Sequence, residues 1–165
     1  MSITSVHKDT DRLTLTVTTE YDVSADRAWQ LWADPRQLER WWGPPTYPAT
    51  VEDHDLRAGG RVSYYMTGPD GDRPRGWWAV LEAEPPRLLV IEDGFANADG
   101  TRDSTMPTMV MRVDITDRPG GVTMTIATRF PSLEAMEQLV AMGMEEGLQQ
   151  AVGQIDAILL GAPAR

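Results

Sequence analysis

The chain has no cysteine. That absence removes disulfides, thiolate nucleophiles and zinc–thiolate sites together. It has a single lysine, Lys8, and only two histidines, His7 and His54. Its bases are therefore almost all arginine, a bias that fits a GC-rich coding genome better than a binding role. With 25 Asp and Glu against 15 Lys and Arg, the formal net charge is −10. Such a surface repels a phosphate backbone, so nucleic acid is not an expected partner. No apolar run approaches the roughly 18 residues of a membrane-spanning helix, so no membrane insertion is expected. No leader-like segment opens the chain, and the expected location is the cytoplasm.

What is present describes an ordinary globular chain. Its 165 residues are 41% hydrophobic and 24% charged, enough for one core without metal or disulfide help. No repeat, linker or low-complexity stretch divides it. Residues 12–161 read as one domain, between a flexible tail at 1–11 and a short tail at 162–165.

Apolar residues alternate over 12–21, with Leu13, Leu15, Val17, Thr19 and Tyr21 on one face, the pattern of a half-buried strand. Ser24 is a helix N-cap, and Ala25, Ala28, Trp29 and Trp32 fall on one side of the helix that follows. Asp34-Pro35 starts a second short helix, which ends before Gly43-Pro44-Pro45. Strand-like segments follow at 50–56, 61–67, 76–84 and 87–93, separated by glycine and proline turns. Met109, Met111, Val113 and Ile115 then alternate with polar residues, and Pro119-Gly120-Gly121 turns the chain into Val122, Met124, Ile126 and Thr128. Ser132 opens a final helix of about 28 residues, roughly 42 Å long, stopped by Gly161 and Pro163. Its stripe is Leu133, Met136, Val140, Met144, Leu148, Ala151, Ile155 and Ile158. The order predicts an α+β fold: a curved antiparallel sheet around a long C-terminal helix, with two short helices near the N-terminus.

A sheet bent around one helix leaves room between them unless bulky side chains fill it. Tryptophan and methionine converge on that space, and methionine suits adaptable apolar surfaces. The cavity candidates among the indoles are Trp29, Trp32, Trp42 and Trp78. The thioethers are Met66, Met109, Met111, Met124, Met136 and Met144, and Leu148 completes the apolar set. Trp41-Trp42 cannot bury both rings in one direction, and Trp77-Trp78 on a strand must face opposite ways. Among polar residues, Tyr64 shares a face with Val62 and Met66 and could orient a ligand through its hydroxyl. Glu82 shares a face with Trp78 and Val80, making it the carboxylate to examine for burial. His54, amid Glu52, Asp53 and Asp55, reads as a solvated strand end, while Arg112 and Asp114 fall on an outer face. No phosphate loop, nucleophile elbow or metal-ligand spacing is present, so no catalytic residue is assigned and no metal or cofactor is expected.

Trp41-Trp42-Gly43-Pro44, the Gly59-Gly60-Arg61 turn, the strand end Glu82-Ala-Glu-Pro-Pro-Arg-Leu88 and the segment Met142-Gly-Met-Glu-Glu-Gly-Leu-Gln-Gln150 before Ile155-Asp156 and Leu159 together carry a resemblance. Over roughly residues 12–160 the chain resembles the SRPBCC (START-like, birch-pollen-allergen-like) superfamily, and within it the branch named after the activator of heat-shock protein 90 ATPase. The resemblance implies a helix-grip fold with a hydrophobic cavity between sheet and C-terminal helix. It also implies a bacterial, AHSA-like protein. Many members of the branch carry tryptophan directly after the helix glycine, where this chain has Leu148, a difference that enlarges or reshapes the cavity. The expected partner is a small hydrophobic molecule held without catalysis. A cyclase- or hydrolase-type activity in the same cavity, and a co-chaperone-like protein contact, are the alternatives. A homodimer through outward aromatic strand residues is a further possibility.

Overall fold

The computed structural model describes residues 3–161. The chain runs β1 (Ile3–Asp9), β2 (Thr14–Tyr21), α1 (Ala25–Ala33), α2 (Pro35–Trp41), β3 (Ala49–His54), β4 (Arg61–Met66), β5 (Arg75–Glu84), β6 (Leu88–Ala96), β7 (Met109–Arg118) and β8 (Gly121–Arg129). It closes with α3 (Leu133–Ala141), α4 (Met144–Val152) and α5 (Ile155–Gly161). The strands form one curved antiparallel sheet in the order β1-β2-β8-β7-β6-β5-β4-β3. This is the helix-grip α+β fold. After β2 the two short helices carry the chain across to the far edge, and β3 to β8 return as a meander until β8 pairs with β2. Among the described residues no helix is long and apolar enough to cross a membrane.

The predicted starts hold in detail. Ser24 accepts a hydrogen bond from the Arg27 N–H at 3.1 Å, Asp34 from Arg36 at 2.9 Å and Ser132 from Ala135 at 3.0 Å, each satisfying an orphan donor of a first helical turn. Leu15, Val17, Thr19 and Tyr21 are buried along β2, as are Met109, Met111, Val113 and Ile115 on β7. The end of α1 is sealed less predictably. The Trp41 indole donates to the Leu31 carbonyl at 2.9 Å, and His54 Nε2 meets the Trp32 carbonyl at 2.9 Å. A carbonyl only accepts, so Nε2 carries the proton. His54 is thus a half-buried helix terminator rather than a solvated strand end.

Three other expectations change. Ile3–Asp9, read as part of a flexible tail, is an edge strand paired with β2 from Ile3↔Thr19 to Asp9↔Thr14. Its side chains stay mostly half-buried or exposed, so no apolar alternation marked it. The 162–165 tail, with Pro163, lies outside the described residues. The C-terminal helical run is not one continuous rod. It breaks after α3 at Gly143, whose φ of +88° is left-handed, and again at Gly153. Leu133, placed on its apolar stripe, is 47% exposed.

Candidate functional site

The inner face of the sheet is covered in two pieces. One apolar cluster joins α1, α2 and α5 to the sheet, and a second joins α3 to Leu15, Met109 and Phe130. Indoles fill the first. Trp32 and Trp41 meet edge to face at 4.7 Å between centroids, and Trp42 meets Trp78 likewise at 4.8 Å. Trp32 also points its indole N–H at the Met124 sulfur, 3.4 Å away. Between the two clusters the interior is not filled. A half-open concavity of about 240 Å³ lies there, roughly eight water volumes at about 30 Å³ each.

Its floor is the sheet and its roof the helical run. Trp42 and Tyr64 stand at one end, and Met66, Phe95, Met109 and Met111 line the strands. Leu139, Met142, Met144 and Leu148 overhang it from α3 and α4. The break at Gly143 and the bare backbone of Gly147 both face this space, so the helices meet the rim where they carry least side chain. A Cβ added at Gly147 would touch nothing within 4 Å.

One group on this wall is acidic. Along β6, Leu89, Ile91, Asp93 and Phe95 alternate inward, which places Asp93 opposite Trp78 on β5 and Met109 on β7. Burial raises its pKa to about 7, opposed by the polar influence of the nearby Tyr64 hydroxyl and Gly94 N–H. Among the described residues no arginine, lysine or histidine lines the concavity. Asp93 is half-buried and lines the concavity. Tyr64 reaches Asp93 from β4 across β5. It can do so because its register partner on β5 is Gly76. A Cβ there would fall 2.3 Å from the Tyr64 oxygen, so the phenol lies in the place of the missing side chain. Burial, then the Asp93 charge, hold the phenol pKa well above its ordinary value, so Tyr64 stays a donor. The Trp42 and Trp78 indole N–H groups approach the same hydroxyl at geometry short of a hydrogen bond, and both are covered without a partner. Thr128 Oγ1 is covered without a partner as well.

The thirteen residues singled out from the sequence divide cleanly. Trp42, Tyr64, Met66, Met109, Met111, Met144 and Leu148 border the concavity. Trp29, Trp32, Trp78 and Met124 are instead core under α1 and α2, and Met136 is core under α3. Indoles are large enough to meet one another across the sheet, so they close that end rather than line it. Glu82 is exposed, because a bulge between Val80 and Glu82 shifts the register and turns Ala83 inward in its place. Asp93 is the carboxyl that the inward face carries. Its signal was available, since the Leu89-Ile91-Asp93-Phe95 alternation runs through a strand already recognised. Trp41 packs beneath the helices and Trp42 faces the concavity. Trp77 lies on the outer face, beneath the Arg102 guanidinium at 3.8 Å, and its N–H donates to the Phe95 carbonyl at 2.9 Å. Tyr65, also outward, sits under Arg73 and Arg75. Among the described residues no three His, Asp or Glu side chains gather as a metal site.

Comparison with known proteins places this geometry. The family model described as "Activator of Hsp90 ATPase homolog 1-like protein" matches residues 22–160. Protein Ms6760 from Mycobacterium smegmatis superposes with a TM-score of 0.89 at 44% identity, over 98% of this chain and 99% of that one. A protein from Arthrobacter aurescens gives 0.92 at 44% identity, over 96% and 92%. The AHSA1 protein from Silicibacter pomeroyi, at 20% identity and a TM-score of 0.70 over 88% and 96%, shares the fold. No curated protein matches the chain at a significant level.

Proposed function

The chain belongs to the family of activator of Hsp90 ATPase homolog 1-like proteins, and on that premise we propose that it binds a small, mostly apolar molecule between sheet and helical run, without converting it. The fold of this family serves as a ligand-binding or protein-binding module. The observation that favours a small ligand is the concavity of about 240 Å³, walled by thioethers and aromatic rings. Its size sits just below the usual range for ligand pockets, about 300–1,000 Å³, so the ligand is compact rather than a double-chained lipid. Turnover is not part of this reading, which rests on the concavity and its apolar lining alone.

Titration of the protein with a neutral apolar fluorophore such as N-phenyl-1-naphthylamine tests the proposal. Saturable binding is expected, with the Trp42 emission responding. Leu148→Trp places an indole over the opening and is expected to weaken binding at least tenfold while far-UV circular dichroism and melting temperature hold. Equal binding by both proteins, or none by the wild type, would rule the proposal out.

A further inference from the structure

The strand side of the concavity is rich in π faces and sulfur, while Pro44, Leu139 and Leu148 close it with aliphatic surface. Asp93 supplies its one formal charge, and beside it stand aromatic rings from Trp42, Tyr64 and Phe95 and thioethers from Met66, Met109 and Met111. No cation lines it among the described residues. The hydrogen-bond donors nearby are turned away from a visitor: Trp42 Nε1, Trp78 Nε1 and Thr128 Oγ1 are covered by protein, and the Tyr64 hydroxyl lies against Asp93. Asp93, by contrast, is half-buried and lines the open space. A ligand arriving with a carbonyl or an anion would find covered donors and a like charge. A ligand arriving with N–H donors and a positive charge would find a carboxylate flanked by π faces, the surroundings that favour ammonium groups.

We propose that this protein selects small organic ammonium ions, the protonated amine resting on Asp93 and the apolar body lying beneath α3 and α4. The proposal rests on the cavity reading above and adds the chemical class of the ligand. Burial raises the Asp93 pKa to about 7, and the Tyr64 hydroxyl and the Gly94 N–H offset this only in part. Among the described residues no cation of the lining adds to them, and a bound ammonium group would supply the missing charge. Tyr64 is the other titratable group facing Asp93. The facing positions on β5, β7, β8 and the helical run are Trp78, Met109, Met111, Thr128, Leu139 and Leu148, none of which titrates. The net charge of −10 draws cations toward the protein at long range.

A matched set decides the matter: 1-naphthylmethylamine, 1-naphthylmethanol and 1-naphthoate, each displacing N-phenyl-1-naphthylamine from the full chain at pH 8. The amine is expected to bind at least tenfold more tightly than the alcohol, and the carboxylate most weakly. Asp93→Asn keeps an acceptor for the Tyr64 hydroxyl and is expected to bring the amine-to-alcohol ratio close to one. Below pH 7 protonation of Asp93 is expected to weaken amine binding toward a limiting slope of about tenfold per pH unit, with the alcohol nearly flat. An alcohol or carboxylate that binds as tightly as the amine would overturn the charge assignment while the cavity reading stood. So would an amine preference that survives Asp93→Asn. Failure of the neutral fluorophore itself to bind would overturn both.

Discussion

Gly76 controls whether two side chains on non-adjacent strands can touch. Tyr64 and Asp93 are separated by β5, and the phenol crosses that strand only where a side chain is missing. Gly76→Ala places a methyl group against the phenol ring and its oxygen, and the ring must swing aside. The expected loss is about 1–3 kcal/mol of stability, as for other overpacked interiors, together with release of the hydroxyl from Asp93. Urea denaturation and the near-ultraviolet circular dichroism of tyrosine check both. Trp41→Phe is a second test at this scale. It preserves an aromatic ring but removes the N–H that satisfies the Leu31 carbonyl at the end of α1. A loss of about 1–3 kcal/mol is expected from that buried acceptor alone, and denaturation midpoints report it. Tyr64 was legible in the sequence, because its strand alternates without interruption. Glu82 was misread, because one bulged residue reverses every facing that follows it, and bulges leave no periodic trace.

The C-terminal helices show what periodicity conceals. A stripe running from Leu133 to Ile158 reads as a single rod, and its start was correctly placed by Ser132. The breaks were not, although Gly143 between two methionines was the available sign. Two glycines one turn apart now give opposite expectations. Gly143 adopts φ of +88° with no neighbour for an added Cβ, so Gly143→Ala carries a purely conformational cost of about 1–2 kcal/mol. Gly147 lies inside α4 with helical backbone and equal room, so Gly147→Ala is expected to stabilise by about 0.5–1 kcal/mol. Parallel urea titrations of the two variants should move in opposite directions. Should Gly143→Ala also prove stabilising, the break would not be a feature of the folded protein.

At the scale of the molecule, Asp93 sets a pH dependence of unusual sign for a carboxyl. Its pKa is raised from 3.8 to about 7 in the folded chain, so between those values the native state holds a proton that the unfolded chain releases. Stability therefore falls as pH rises from about 4 to about 7, and is lower by about 4 kcal/mol above that window, less whatever relief water in the concavity provides. Asp99, Asp103 and Asp117 are shifted downward by hydrogen bonds from Thr101, Thr105 and Arg87, so their stabilising effect fades only in more acidic solution. Comparing wild type with Asp93→Asn at pH 5 and pH 8 isolates the first effect, because the second is common to both. The variant is expected to gain on the wild type as pH rises, and an unchanged difference would place Asp93 in water. The architecture itself was legible from order and alternation. The division of the interior into a filled end and an open end was not, because it depends on how indoles from three segments meet.

The pairing of β2 with β8 joins residues far apart in the chain, Thr19 facing Met124 at a separation of 105 positions. During synthesis at about 5–20 residues per second, β2 emerges from the ribosome some 5–20 seconds before its partner exists. Leu15, Val17 and Tyr21 must wait through that interval with no strand beside them on the β8 side. The nascent chain is thus exposed to misassociation until its last hairpin is made, and only then can the helices that follow settle onto a finished surface.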